Sequence, residues 1–237
     1  MSLVELSLAS SRAPLFLVHG MGGTVLGYRD LAARLADRWS CFGIEARGID
    51  DREAPLDCVE AMAAAYIDEI RRRGAPPEWR LVGWSFGGVL AFEMSIQLSR
   101  AGMPVRAALL DSRGLAEPTT RTCPSREAVE ASFAAYLAAS NVSLPDGLAK
   151  ESLRATYAAH LTALARYRPG HTRAPLLVIR ATDGAGVDDD GLGFAALAQG
   201  RLDAIAVPAS HAGLLLSPHV EGVAQALDRF FSCGDGA

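Results

Sequence analysis

Short apolar runs alternate with amphipathic stretches along most of the chain. Leu15-Phe16-Leu17-Val18, preceded by Pro14, is a short apolar run that reads as a buried strand. It leads into a glycine-rich turn, His19-Gly20-Met21-Gly22-Gly23. A helix is predicted next, with Tyr28, Leu31, Leu35 and Trp39 on one face. Residues 41–46 read as the following strand. Val59, Met62, Ala63, Tyr66, Ile67 and Ile70 recur at helical spacing, and that helix stops at Gly74, with Pro76 and Pro77 beyond it. Residues 79–84 and 104–110 read as strands flanking a nearly all-apolar helix over 87–101. A helix apolar on most sides is a buried one. Strands resume at 175–181 and 202–207, and Val220, Val223, Leu227, Phe230 and Phe231 mark a closing helix.

This alternation predicts an α/β fold, with a mostly parallel central sheet and crossover helices on both faces. The pattern breaks between about 117 and 170, where there is no good strand. Two helical stretches, 126–139 and 148–167, are joined there by a turn-rich connector at 140–147. An insertion of that size between strands is a lid or a small subdomain. Ahead of Leu15 there is room for one short strand, at 4–8. The expectation is one domain over residues 1–237 carrying the insertion.

Composition narrows the function classes. The formal net charge is -4, and the only basic run is Arg71-Arg72-Arg73. It closes a predicted helix, where cations favour the carbonyl end. Nucleic acid is therefore not an expected partner. Cys41, Cys58, Cys123 and Cys233 are scattered without metal-ligand spacing, so no metal is expected. No apolar run approaches the roughly 18 residues that span a membrane, and the first residues lack the pattern of a signal peptide. A reducing, cytoplasmic setting is the expectation.

Chemistry enters at Gly83-Trp84-Ser85-Phe86-Gly87, which fits the nucleophile elbow pattern G-x-S-x-G. A strand precedes it and a helix follows, as that motif requires. The serine must sit on a tight, strained turn with its hydroxyl above the sheet. The flanking glycines lack the Cβ atoms that would clash there. The helix amino terminus also favours negative charge on a developing oxyanion.

A hydroxyl needs a base, and the hydrolase chain order is serine, acid, histidine. Of five histidines, His211 lies in the loop after the last strand, where this fold presents its base. His219 falls at the start of the closing helix, and His160 and His171 lie in or just after the insertion. His19 precedes the glycine turn, a place where histidine orients the loop. Two aspartates end strands, Asp111 and Asp183, and spacing alone does not choose between them. The oxyanion hole is expected from the backbone N–H groups of Phe86 and Met21. Phe133, Tyr136, Leu137 and Tyr157 are candidates to line a channel under the insertion, although packing within it is their ordinary role.

The residues resemble one family. Gly83 to Gly88, Ala91-Phe92-Glu93-Met94, Gln97-Leu98 and Leu109-Leu110-Asp111-Ser112 are similar to thioesterase domains of nonribosomal peptide and polyketide synthetases. Tyr28 to Leu35, Tyr167-Arg168-Pro169, Arg180-Ala181 and the stretch from His211 to Val220 fit the same pattern. The first turn departs from the many members that carry proline near His19 or Gly20. The resemblance implies an α/β-hydrolase fold and a helical lid over an acyl channel. It implies a substrate delivered on the phosphopantetheine arm of a carrier domain, with no cofactor bound by the thioesterase itself. Chain-releasing members place the acid at the position of Asp111, and stand-alone editing members at that of Asp183. The match at Asp111 therefore implies the releasing type, by hydrolysis or cyclisation. The rival expectations are an editing thioesterase or carboxylesterase, and a non-catalytic binding protein on the same fold.

Overall fold

A computed structural model describes residues 2–8, 13–50, 52–113, 123–140, 150–183 and 191–232. The strands are β1 (Ser2–Ser7), β2 (Pro14–Val18), β3 (Ser40–Glu45), β4 (Trp79–Trp84), β5 (Val105–Leu110), β6 (Leu176–Ala181) and β7 (Leu202–Val207). They form one sheet in the order β1-β3-β2-β4-β5-β6-β7. Every pair is parallel except β1 with β3, so the strand expected ahead of Leu15 is an antiparallel edge. Parallel neighbours need crossovers, which the helices supply. These are α1 (Arg29–Leu35), α2 (Val59–Gly74), α3 (Phe86–Arg100), α4 (Arg126–Ser140), α5 (Lys150–Arg166) and α6 (His219–Ser232).

Alternation along β2 divides the core. Phe16 and Val18 join the side chains of α2 and α3, whereas Leu15 and Leu17 join those of α1 and α6. The sheet is thus covered on both faces, as its continuous apolar strands require. The nearly all-apolar α3 is buried over twelve of its fifteen residues, from Phe86 to Leu98. Its Glu93 is buried as well and accepts hydrogen bonds from the Tyr167 hydroxyl at 2.7 Å and from Gln97 at 2.9 Å.

Most boundaries shift by a residue or two, and those of the helix after β2 and of β5 have a physical reason. The helix after β2 is short, a 3-10 turn (Leu26–Tyr28) running into α1. Trp39 lies beyond that helix and is held instead by its Nε1, which donates to Asp228 of α6 at 2.9 Å. β5 begins after Pro104, which has no N–H for the ladder; its carbonyl accepts from Trp79 at 2.8 Å.

Between β5 and β6 stand α4 and α5, and the connector at 141–147 lies outside the described residues. Phe133, Tyr136 and Leu137 of α4 pack with Leu153 and Tyr157 of α5 in a separate apolar cluster that includes Ile49 and Met21. No helix among the described residues is long and apolar enough to cross a membrane.

Candidate active site

The carboxyl ends of the parallel strands converge on Ser85. It has φ 57° and ψ -123°, a conformation that non-glycine residues adopt only under constraint. The constraint is visible. The Ser85 N–H donates to the Leu110 carbonyl at 2.9 Å, and the Ser85 carbonyl accepts from Gly88 N–H at 3.1 Å and from Ser112 Oγ at 2.7 Å. The elbow glycines have no room for a side chain. A Cβ on Gly83 would strike the backbone of Gly87 and Gly88, and one on Gly87 would strike the carbonyls of Val18 and His19.

Asp111 follows β5 directly, in another positive-φ conformation, at 45°. Its Oδ2 accepts from His211 Nδ1 at 2.6 Å, and its Oδ1 accepts from the Ala181 N–H at 3.0 Å. Burial alone would raise this carboxyl. The hydrogen bond from His211, backed by the Ala181 N–H, outweighs burial and holds it below the usual carboxylate range. The bond to Asp111 also fixes the proton of a neutral His211 ring on Nδ1, leaving Nε2 as its basic nitrogen. The ring is half exposed and stacks on Trp84 with centroids 4.7 Å apart. Trp84 Nε1 donates to the His211 carbonyl at 3.1 Å. The residue before Ser85 therefore seats the histidine.

The alternative acid is elsewhere. Asp183 is exposed, and its backbone N–H donates to the Ala209 carbonyl at 3.0 Å. Its carboxylate has no hydrogen-bond partner among the described residues. His219 opens α6, as its position suggested.

Phe86 is the first residue of α3, so its N–H has no partner within the helix. Met21 lies in the turn after β2, and its N–H has no partner among the described residues. Tyr28, fully buried, ties the two loops together. Its hydroxyl donates to the Val18 carbonyl at 2.7 Å and accepts from the Trp84 N–H at 2.7 Å. Burial raises that hydroxyl's pKa, so it stays protonated.

Beneath the turn lies a ring cluster. His19 Nδ1 meets the Gly20 carbonyl at 2.8 Å, and His160 Nδ1 of α5 meets the Met21 carbonyl at 2.8 Å. A carbonyl only accepts, so both rings carry a proton on Nδ1. The Tyr66 hydroxyl then donates to His19 Nε2 at 2.5 Å. The two imidazoles stack at 4.9 Å, and Phe86 stacks on His160 at 5.0 Å. Burial, with the neighbouring His160, lowers His19 to about 3. Burial lowers His160 to about 4. Both are neutral near pH 7. The sequence reading placed His160 only in the insertion and missed its contact with the turn. The available signal was its place on the buried stripe of α5 with Leu153 and Tyr157. Among the described residues, no group of histidine, cysteine and carboxylate side chains could hold a metal ion.

A family model described as a thioesterase domain matches residues 13–231. Indigoidine synthase of Dickeya dadantii (strain 3937) is 30% identical over 186 residues, covering 64% of this chain and 12% of that protein. The dimodular nonribosomal peptide synthase of Bacillus subtilis (strain 168) is 35% identical over 103 residues, covering 44% of this chain and 4% of that protein. The chain thus spans a small fraction of these synthetases. Among solved structures, the NocB thioesterase domain in covalent complex with a fluorophosphonate nocardicin G analogue superposes with a TM-score of 0.71 at 26% identity, covering 93% of this chain and 95% of that one. Holo-AB3403, a four-domain nonribosomal peptide synthetase bound to AMP and glycine, superposes with a TM-score of 0.85 at 24% identity, covering 98% of this chain and 20% of that one, a likeness of fold. The chain belongs to the thioesterase domain family, with the α/β-hydrolase fold and the nonribosomal-peptide-synthetase kinship that its elbow sequence resembles.

Proposed function

We propose that the domain releases an acyl or peptidyl chain from the phosphopantetheine arm of a carrier domain, through an acyl-enzyme on Ser85. The observation that carries this reading is the 2.6 Å bond between Asp111 and His211, seated on Trp84 beside the Ser85 elbow. His211 Nε2 takes the Ser85 Oγ proton as the oxygen attacks the thioester carbonyl. Asp111 holds the tautomer and stabilises the imidazolium. The N–H groups of Met21 and Phe86 stabilise the oxyanion. The carbon–sulfur bond then breaks, and His211 returns the proton to the leaving thiol. In the second half, water or a hydroxyl or amine of the chain itself attacks the ester. His211 takes that nucleophile's proton and passes it to Ser85 Oγ. The helices α4 and α5 act as the lid over the acyl channel. The domain needs no cofactor or metal of its own, since the pantetheine belongs to the carrier. A cytoplasmic setting is part of the same reading.

Intact-protein mass spectrometry with a panel of acyl-pantetheine thioesters tests this. The expected result is a mass gain of one acyl group, mapped to Ser85 and absent from Ser85→Ala. That variant should lose about a million-fold in kcat, the scale seen when a serine hydrolase nucleophile is removed. Acylation that persists in Ser85→Ala would end the proposal.

A further inference from the structure

Three consecutive residues of the turn after β2 lie against the insertion. His160 of α5 donates to the Met21 carbonyl at 2.8 Å. Tyr136 of α4 lies so close to Gly22 that a Cβ there would collide with its hydroxyl. Thr156 of α5 lies 3.0 Å from where a Cβ on Gly23 would stand. Within the turn, the Gly20 carbonyl accepts from His19 at 2.8 Å and from the Gly23 N–H at 3.0 Å.

Peptide planarity turns these contacts into a statement about Met21. The Gly20 carbonyl and the Met21 N–H belong to one plane and point in opposite directions. Holding that carbonyl under the turn aims the Met21 N–H away from the ring cluster. The Met21 carbonyl belongs to the next plane, and His160 holds it. With both planes pinned, the φ and ψ of Met21 are fixed between them. The ring that pins the second plane also stacks on Phe86, which carries the other N–H. We infer that His160 is a positioning residue for the oxyanion hole, and that through it the seating of the insertion sets whether the Met21 N–H can bind a tetrahedral intermediate. This rests on the assignment of Met21 and Phe86 as the oxyanion donors.

The inference separates hydrogen bonding from packing. His160→Phe keeps an aromatic ring between His19 and Phe86 but has no N–H. His160→Asn loses the ring but keeps an N–H near the Nδ1 position. With an acyl-pantetheine thioester, His160→Phe should lower kcat by about 100-fold, the scale of one lost oxyanion contact, with KM little changed. His160→Asn should recover most of that loss. Affinity for an alkyl boronic acid, which forms a tetrahedral adduct on the serine, should fall in parallel with kcat/KM. Affinity for a non-hydrolysable thioether analogue of the substrate should not move. Should the phenylalanine variant fail to fold, His160→Leu tests the same bond. A folded variant without the N–H that retains wild-type kcat, or that loses kcat with unchanged boronate affinity, overturns the inference. So does a folded His160→Asn that is no better than His160→Phe. Ser85→Ala is run alongside. If it keeps turnover the proposed reaction fails; if it alone loses turnover only the His160 inference fails.

Discussion

Asp111 follows β5 and His211 lies in the loop after β7, two strands of one parallel run with β6 between them, and the elbow glycines Gly83 and Gly87 are walled by backbone. Met21, by contrast, stands on a glycine turn whose backbone bonds hold Gly20 and Gly23, while Met21 itself is held by a side chain of the insertion. The proposed nucleophile and its partners are therefore as rigid as the sheet. The proposed oxyanion donor depends in addition on the seating of α5, whose His160 holds the Met21 carbonyl. Interiors resist small changes when the neighbours are main chain, and yield when the neighbour is the tip of a side chain. One site can thus combine a fixed half with an adjustable one.

The largest expected effect probes the fixed half. Asp111→Asn should lower kcat by about ten-thousand-fold, since an amide in that position favours the wrong imidazole tautomer. Asp183→Asn should leave kcat within about twofold, because an exposed carboxylate without a partner among the described residues has little to lose. Steady-state kinetics on both variants checks this. The reverse pattern would make the later aspartate the acid and the domain an editing type.

Next come the glycines. Gly87→Ala drives a methyl into the carbonyls of Val18 and His19. Overpacking against backbone on the order of 3 kcal/mol corresponds to a melting temperature about 10 °C lower. Gly22→Ala meets only the end of Tyr136, which can swing aside. Its melting temperature should fall by less than about 3 °C. Differential scanning calorimetry of the pair measures how differently the halves yield, and equal losses would erase the contrast.

A further effect is one of pH. His19 and His160 are lowered from 6.5 to about 3 and about 4. The unfolded chain therefore binds more protons than the folded one below about pH 6.5, and stability falls as pH drops toward 4. Asp111, also lowered, adds a loss only below its ordinary 3.8. Melting curves between pH 7 and 4 should slope downward, with a shallower slope in His160→Asn, which has one buried titrating ring fewer. An unchanged slope would mean that these rings do not carry the acid sensitivity.

The fixed half was legible in the sequence because its determinants are local. G-x-S-x-G demands a strand before it and a helix after it, and both are present around Ser85. Asp111 and His211 each follow a strand, in the order the fold uses. Periodicity could not choose between Asp111 and Asp183, since both end strands in the same way. Their difference is a hydrogen bond across 100 residues of chain. Trp84 occupies a variable position of the motif, and its support of His211 spans 127 residues. The adjustable half was less legible for the same reason. His160 and Met21 are 139 residues apart, and no spacing rule links a histidine on an insertion helix to a turn after the second strand.

The buried Glu93–Tyr167 bond has a mechanical consequence. Tyr167 follows immediately on α5, so the helix is tied to the buried α3 at its trailing end. A rod fixed at one end moves in proportion to distance from that end. His160 lies seven residues from Tyr167, about 10 Å along the axis, and Lys150 lies about 25 Å away. A tilt of about 10° would carry the far tip by about 4 Å, yet displace His160 by about 2 Å, enough to sever one hydrogen bond. Under such a tilt the helix would work as a lever with its fulcrum at Tyr167, converting a wide swing at Lys150 into a small stroke at Met21.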